Sequence, residues 1–373
     1  MKIGIVTRHL DLPVGFGSYA RNLLSALAAA VPEHEYFVYT PRPPRTKLPK
    51  GFVNRSADVP ERRSKLVWWE HWDAPRAAVR DGVDLIHYLN LAGPLPLTRR
   101  PVITNVLDAI QWAEPGYRLP RHYDALARRD VRVASHIITI SHAAKIDLNR
   151  LLGVSLDKIS VTQLAPNETP AAGGRGRLRD KRTAAVTSFI KRGKFWLFVG
   201  GTEKRKNLRA VIEAYAQSDF PQRLAVVGPT DPSPVHDSKS ELLALLTLAQ
   251  RRRVTFLGWV SDADLNRLYA KALALVFPTR YEGFGLPALE AMKYKTPVVT
   301  SDVSSLPEVV GEAALTVDPT GPNAVAEAMS RLATDAKLRA RLVRLGTKNL
   351  KRFSWERTAR ETLAVYEKMV RKR

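Results

Sequence analysis

Two carboxylates stand on either side of a glycine-containing turn in the second half of the chain. Residues 277–292 read FPTRYEGFGLPALEAM, with Glu282 before a Gly-Phe-Gly turn and Glu290 after it. Pro287 is typical of the first position of a helix, so a helix N-terminus should follow the turn and offer its N–H groups and dipole to an anion. Glu282 then lies in the loop, and Glu290 lies in the first helical turn or just past it.

Each of these residues also has a simpler explanation. Glu290 as a first-turn acid would stabilise the helix dipole by about 0.3–1 kcal/mol, and Gly283 and Gly285 would be ordinary turn glycines. Their combination within one short stretch is more specific than any single member.

A second candidate site is the basic turn of residues 199–208, VGGTEKRKNL, between a predicted strand and a predicted helix. Its spacing does not match the phosphate-binding loop of nucleoside triphosphatases. Arg205 and Lys206 can bind an anion such as a phosphate, because charge-assisted hydrogen bonds are about twice as strong as neutral ones. We also expect the N–H groups of Gly201 and Thr202 to face the anion. The alternative is a solvated basic helix start, which the helix dipole disfavours.

Alternating strands and helices must position these two stretches. In the first half, strands are predicted at residues 2–7, 35–40, 84–88, 102–107, 136–140 and 158–163, and helices at 18–30, 120–134 and 143–152. Residues 41–60 are rich in proline and basic residues and are predicted to be irregular. In the second half, strands are predicted at residues 195–200, 223–227, 254–257, 273–277, 298–300 and 315–317, with helices between and after them.

This alternation predicts an α/β fold of two doubly wound, Rossmann-like domains. The first domain would cover residues 1–170, a linker rich in Gly and Arg would cover 171–185, and the second domain would cover 186–354. Ligands bind at the carboxyl ends of the strands in such domains, so we expect the site in a cleft that both domains face.

Composition narrows the classes of function. The chain has no cysteine, which excludes disulfides, thiolate zinc sites and cysteine nucleophiles. No apolar run approaches the roughly 18–20 residues that a spanning helix needs. The start of the chain does not resemble a signal peptide either, so the expected location is the cytoplasm.

The net charge of +23 favours an anionic partner. Basic residues concentrate in residues 42–65 and 175–194, and Trp68, Trp69 and Trp72 follow the first of these stretches. Basic side chains beside tryptophans predict peripheral association with an anionic surface on the inner face of a membrane. The alternative is a well-solvated surface.

The stretch from Glu282 to Glu290 resembles the E-x7-E motif of the retaining glycosyltransferases of family 4, which have two Rossmann-like domains (the GT-B fold). The similarity continues through residues 296–301 and 305–314 and, upstream, 254–258. It is strong over residues 195–320 and weaker over 1–170. The resemblance also implies that a last helix, residues 355–373, crosses back onto the N-terminal domain.

Family 4 membership would imply transfer of a hexose, such as mannose, from a GDP- or UDP-linked nucleotide sugar to a lipid-linked or polysaccharide acceptor. Retention of configuration, polysaccharide biosynthesis, and catalysis without a metal or other cofactor are part of the same implication. Glu282 would lie by the transferred sugar and Glu290 would bind the nucleotide's ribose. The donor phosphates would contact Arg205 and Lys206. The sugar and the distal phosphate would be held by the N–H groups of Gly283, Phe284, Gly285 and Leu286.

Other implied positions lie in the first half of the chain, and two positions depart from the family pattern. Gly15 and Gly17 would face the donor phosphate and the acceptor. Gly201 stands where many members have an arginine, which Arg205 would have to replace. Leu107 stands where many members have a histidine, so the acceptor-side candidates are Asp108 and His87 (a lone histidine whose alternative role is structural).

Three other functions are alternatives. Leu107 is compatible with a catalytically silent GT-B module that binds a nucleotide sugar. The charge alone suggests a nucleic-acid-binding protein, but no recognition motif is present and aromatic residues do not interleave with the basic stretches, so nucleic acid is not an expected partner. An epimerase or phosphorylase of the same fold is the third, and the lysine signature of a phosphorylase cofactor is absent.

Overall fold

The computed structural model describes residues 1–12, 15–95, 98–167, 179–230 and 233–371. It divides into two compact units, Met1–Gly174 with Ser354–Arg373, and Arg175–Phe353. Of the predicted linker, residues 171–185, the part up to residue 178 lies outside the described residues. The remaining part is helical, because a helix begins at Arg179. Among the described residues, no helix is both long enough and apolar enough to cross a membrane.

The first unit is built on a parallel sheet of seven described strands with the order β3-β2-β1-β4-β5-β6-β7. The strands are β1 Lys2–Val6, β2 Glu35–Thr40, β3 Phe52–Ser56, β4 Leu85–Tyr88, β5 Val102–Asn105, β6 His136–Thr139 and β7 Ile159–Val161. The strand order reverses between β1 and β4, which makes this the switch point where such sheets bind ligands.

The prediction that residues 41–60 are irregular is wrong at β3. This strand lies at the edge of the sheet and is mostly exposed, so it lacks the apolar pattern by which buried strands are recognised. The helices of this part of the chain are α1 Phe16–Ala30, α2 Arg63–Trp68, α3 Ala74–Arg80, α4 Ile110–Ala113, α5 Arg121–Val133 and α6 His142–Leu152. One π-helical turn, Trp69–Asp73, joins α2 to α3, and 3-10 turns cover Pro115–Tyr117 and Leu156–Lys158.

The second unit repeats this plan with a parallel sheet of six described strands in the order β10-β9-β8-β11-β12-β13. Its strands are β8 Phe195–Val199, β9 Arg223–Val227, β10 Val254–Gly258, β11 Ala274–Phe277, β12 Val298–Ser301 and β13 Leu315–Val317. Its helices are α7 Arg179–Lys191, α8 Leu208–Ala216, α9 Lys239–Ala244, α10 Leu248–Arg251, α11 Asp262–Lys271, α12 Leu286–Lys293, α13 Leu306–Val310, α14 Pro322–Thr334 and α15 Ala336–Leu350, with 3-10 turns at Lys204–Lys206 and Gly311–Ala313. The order reverses between β8 and β11, so the second switch point lies there.

The last helix, α16 Trp355–Arg371, belongs to the first unit, where it packs against α1. Tyr366 on α16 places its hydroxyl 2.7 Å from Nδ1 of His87, and His87 Nε2 lies 2.8 Å from Asn105 Oδ1. The amide nitrogen of Asn105 donates to the Tyr19 hydroxyl at 2.8 Å. All four side chains are buried, so this chain of hydrogen bonds joins α16 to the sheet and to α1 without leaving these polar groups unsatisfied.

Acid should weaken folding through His87. Burial lowers the pKa of this ring to about 4 in the folded protein, against 6.5 for an unperturbed histidine. The unfolded state therefore binds the extra proton between these values. The free energy of unfolding should fall as the pH falls from 6.5 towards 4, by at most about 1.4 kcal/mol per pH unit.

Urea denaturation of the wild type and of His87→Gln across this pH range measures the effect. The difference between the two proteins removes the contribution of His9, whose pKa is also lowered to about 4. We expect the wild type to lose more stability than the variant on acidification. Parallel profiles would contradict the prediction.

Candidate active site

The loops at the second switch point are tied together by Asn207. This residue follows β8 and has a left-handed backbone, with φ of 62°, which asparagine tolerates better than most residues. Its side-chain nitrogen donates to the carbonyl of Pro278 at 2.9 Å and to that of Pro319 at 2.7 Å. These carbonyls follow β11 and β13, so one buried amide connects three strand ends. Sequence reasoning missed Asn207, although an asparagine between a basic turn and a helix is a usable signal for a left-handed residue.

Glu282 contacts both of the predicted phosphate-binding cations. Its Oε2 atom accepts hydrogen bonds from the Lys206 ammonium and, at 3.2 Å, from the Arg205 guanidinium. Arg205 Nε also donates to Glu203 Oε1 at 2.6 Å. Lys206 is 9% exposed, and its Nζ atom lies 5.0 Å from the centre of the Phe277 ring. Two cations and two carboxylates thus form one largely buried, charge-balanced group.

The charges in this group fix the protonation state of Glu282. Burial alone would raise the pKa of this carboxyl, but Lys206 and Arg205 outweigh burial and hold the pKa below its ordinary value. Burial lowers the pKa of Lys206, and the charge of Glu282 opposes that shift. The carboxylate is therefore ionised at neutral pH and pairs with the cations.

The backbone around Glu282 is held by two serines that sequence reasoning did not single out. Ser304 and Ser305 donate to the Glu282 carbonyl at 2.7 and 2.8 Å. Gly285 has φ of +104°, and a Cβ atom there would lie 2.5 Å from the side chain of Leu306. The turn before α12 therefore requires glycine at this position for both its conformation and its packing.

The backbone amides divide into two groups. None of the described residues accepts a hydrogen bond from the N–H groups of residues 283–286, which are Gly283, Phe284, Gly285 and Leu286, so these donors can serve a ligand. The prediction that the N–H groups of Gly201 and Thr202 face an anion is wrong in this structure. Their N–H groups donate to the carbonyls of Val227 and Pro229, both at 2.9 Å, because the loop after β8 folds onto the loop after β9.

Glu290 lies in α12 and is half-buried. Its Oε2 atom accepts a hydrogen bond from the Tyr269 hydroxyl at 3.0 Å. Burial and then the charge of Glu290 raise the pKa of Tyr269 well above its ordinary value, so the tyrosine stays a donor. This bond fixes the orientation of the carboxylate.

The four remaining site candidates belong to the first unit. Gly15 precedes α1 with φ of 58°, and a Cβ atom on Gly17 would lie 2.0 Å from the Leu12 carbonyl oxygen, so both positions suit only glycine. Asp108 follows β5, is half-buried and accepts from the N–H of Ile110 at 3.1 Å. His87 is fully buried with both ring nitrogens hydrogen-bonded. These surroundings favour the structural alternative for His87 over a role towards an acceptor.

A buried polar cluster at the first switch point escaped the sequence analysis. Arg8, just after β1, lies 3.3 Å from the Glu70 carboxylate, which also accepts from the Asn90 amide at 2.8 Å. His71 Nε2 lies 2.8 Å from Asp130, and that carboxylate outweighs burial and raises the pKa of His71. The π-helical turn places Glu70 and His71 here. An acidic residue between tryptophans is the signal that sequence reasoning could have used.

No group of three or more His, Asp or Glu side chains lies close enough to hold a metal ion in the part of the chain that the structure describes. Two cations and the N–H groups of residues 283–286 are donors that could bind an anion here.

Known proteins resemble the chain along almost its whole length. The family model "Glycosyl transferases group 1" matches residues 180–349, and "Glycosyltransferase Family 4" matches residues 14–164. The O-antigen chain mannosyltransferase RfbU of Salmonella typhimurium is 30% identical over 265 residues, which are 68% of this chain and 67% of RfbU. The chain belongs to the family 4 glycosyltransferases. This membership makes it an enzyme, as the motif around Glu282 predicts.

One further relative and two solved structures are similar to this glycosyltransferase over almost its whole length. The O-antigen chain mannosyltransferase B of Escherichia coli is 28% identical over 98% of this chain and 100% of its own length. Sucrose-phosphate synthase from Thermosynechococcus elongatus has a similar structure, with a TM-score of 0.75, 22% identity and full coverage of both chains. The Anabaena protein HepE, in complex with UDP-glucose, has a TM-score of 0.68 at 18% identity, over 99% of this chain and 100% of HepE. The predicted α/β fold of two Rossmann-like parts, GT-B, is confirmed.

Gly285→Ala should cost this glycosyltransferase more stability than Gly193→Ala. Both glycines have a positive φ, +104° and +100°, but a Cβ atom at 193 would meet nothing within 4 Å. Backbone strain alone costs about 1–3 kcal/mol, and Gly285→Ala adds the clash with Leu306. Urea denaturation of both variants measures the difference. Equal losses would contradict the close approach of Gly285 to Leu306.

Proposed function

We propose that this glycosyltransferase moves a hexose, with mannose as the first candidate, from a nucleotide sugar to a glycan or lipid-linked acceptor. Support for the sugar comes from relatives that are named mannosyltransferases. The observation that carries the donor site is the position of Lys206 and Arg205 beside Glu282 at the second switch point. A GDP- or UDP-linked donor fits this group, and HepE, of the same fold, binds UDP-glucose.

The proposed chemistry breaks the bond between the anomeric carbon of the sugar and an oxygen of the distal phosphate, and forms a bond from that carbon to an acceptor hydroxyl oxygen, whose proton passes to the leaving diphosphate. Negative charge grows on the leaving diphosphate as the sugar carbon becomes electron-poor. Once the donor is bound, Lys206, Arg205 and the amides of residues 283–286 would stabilise that charge, and stabilisation by donors already in place is usually the largest single contribution to catalysis. The Glu282 carboxylate would hold hydroxyl groups of the sugar, and Glu290 those of the ribose.

Three finer features belong to the same proposal. Cations and amides can stabilise the leaving group alone, which supports catalysis without a metal or other cofactor. Retention of configuration rests on the E-x7-E motif and on the family to which the chain belongs. Gly15 and Gly17 are proposed to face the donor phosphate and the acceptor, and Asp108 is the proposed acceptor-side position.

The proposed acceptor is part of a polysaccharide or is linked to a lipid, and the proposed location is the cytoplasmic face of a membrane. Trp68 is 51% exposed and stacks on Trp72 with ring centres 5.3 Å apart. Arg76 lies over the Trp72 ring at 5.1 Å. Exposed aromatic rings beside cations suit the boundary between lipid headgroups and acyl chains. Trp69, predicted to share this role, is instead 3% exposed and packs in the core.

The alternative of a catalytically silent nucleotide-sugar-binding module, raised by Leu107 at the position where many family members carry a histidine, is not kept, because the chain belongs to the family 4 glycosyltransferases.

Nucleotide binding should depend on Lys206 and not on its neighbour Lys204. A thermal-shift screen with GDP, UDP, ADP and their sugar conjugates should raise the melting temperature of the wild type with one nucleotide series, because ligands that bind the folded state stabilise it. Lys206→Ala should lose that shift and cut transfer by about 10²-fold or more. Lys204→Ala, which changes an exposed cation in the same turn, is the control. No shift with any nucleotide at millimolar concentration would contradict the proposed donor site.

Binding to lipid should depend on Trp68. Flotation with vesicles containing anionic lipid should recover the wild type at low salt and less of it at high salt, since screening weakens the attraction. Trp68→Ala should reduce recovery, whereas Trp259→Ala, which removes a 40% exposed tryptophan from the second unit, should not. Absence of the wild type from anionic vesicles at low salt would contradict the membrane proposal.

A further inference from the structure

The cations proposed to bind the donor diphosphate are already neutralised by the protein. Glu282 accepts hydrogen bonds from Lys206 and Arg205 through the same oxygen atom, and Glu203 accepts from Arg205. Two positive charges thus face two negative ones within one largely buried group. A diphosphate carries at least two negative charges, and it cannot join this group while Glu282 keeps its place, because like charges repel strongly where water is excluded.

The lysine cannot be the partner that moves. Its aliphatic stem packs against Gly200, where a Cβ atom would lie 2.9 Å from Lys206 Cγ, and Phe277 lies beside its ammonium. The backbone of Glu282 is also held, by Ser304 and Ser305. The Glu282 side chain is therefore the element that must leave when a diphosphate arrives.

A carboxylate that leaves two cations needs new hydrogen-bond donors, since an unpaired buried charge is costly. The hydroxyl groups of a hexose on the distal phosphate supply such donors at the position proposed for Glu282. A free nucleoside diphosphate has no sugar there and leaves the carboxylate without a partner. Binding of the nucleotide sugar therefore offsets the penalty for displacing Glu282, and binding of the nucleoside diphosphate product does not.

We propose that Glu282 is the protein's own counter-ion for Lys206 and Arg205, and that it discriminates against the nucleoside diphosphate product. This inference rests on the proposed function. It gives Glu282 a second task beside holding the sugar, because its return to the cations after transfer weakens product binding and favours release.

Calorimetric titration of the wild type, Glu282→Gln and Glu290→Gln with GDP, UDP, GDP-mannose and UDP-glucose tests the inference. Glu282→Gln should bind the nucleoside diphosphate of the productive series about tenfold or more tightly than the wild type, which corresponds to about 1.4 kcal/mol. Its preference for the nucleotide sugar over the diphosphate should shrink by a similar factor. Glu290→Gln, which removes a carboxylate that bonds to Tyr269 instead, should show no such gain.

The outcomes distinguish failure of the proposed role of Glu282 from failure of the proposed function. If the wild type binds nucleotide sugars and Glu282→Gln binds the diphosphate no more tightly, this inference is overturned and the proposed function stands. If neither protein binds any of the four ligands at millimolar concentration, both are overturned. Glu282→Asp keeps the negative charge on a shorter side chain and covers the case in which Glu282→Gln fails to fold. Its affinity for the diphosphate should lie above that of the wild type, and a lower value would overturn the inference.

Discussion

A lysine ammonium that is removed from water must be paired, and this constraint organises the second unit. Lys206 is buried at the switch point, and an unpaired charge there would cost several kcal/mol (about the desolvation penalty of one ion). Glu282 supplies the pairing from a loop 76 residues further along the chain. Hydrogen bonds from neutral side chains hold the loops that carry the pair. Asn207 connects three strand ends, and Ser304 and Ser305 donate to the Glu282 carbonyl.

The parallel sheet explains why these loops meet at all. Strands that run in one direction bring all of their carboxyl ends to one edge of the sheet, and the reversal of strand order between β8 and β11 is where such sheets form a crevice. Backbone amides divide accordingly. The N–H groups of residues 283–286 lie at the start of a helix and are available to a ligand. Those of Gly201 and Thr202 lie where the loops after β8 and β9 pack together, and they donate to carbonyl groups of the protein.

Features of the fold and the site that depend on a local sequence pattern could be predicted, whereas contacts between residues far apart in the sequence could not. The strands β2 and β9 were predicted with the bounds that the structure has, because buried parallel strands are nearly continuous apolar runs. The exposed edge strand β3 has no such run. The E-x7-E stretch and the basic turn could be singled out by type and spacing, but their ion pair could not, since no local rule joins Lys206 to Glu282. The same holds for Arg8 and Glu70, which meet through the fold alone.

The two switch points share a topology and differ in charge. At the second, the cations are held by a carboxylate whose side chain can swing away, so the pairing is reversible. At the first, Glu70 is held by both Arg8 and Asn90, and Asp130 by both His71 and Arg129, within a buried cluster. Each carboxylate of this cluster thus has two partners, which hold it in place. The ion pair that can open at the second switch point is the difference that supports the diphosphate site proposed for the second unit.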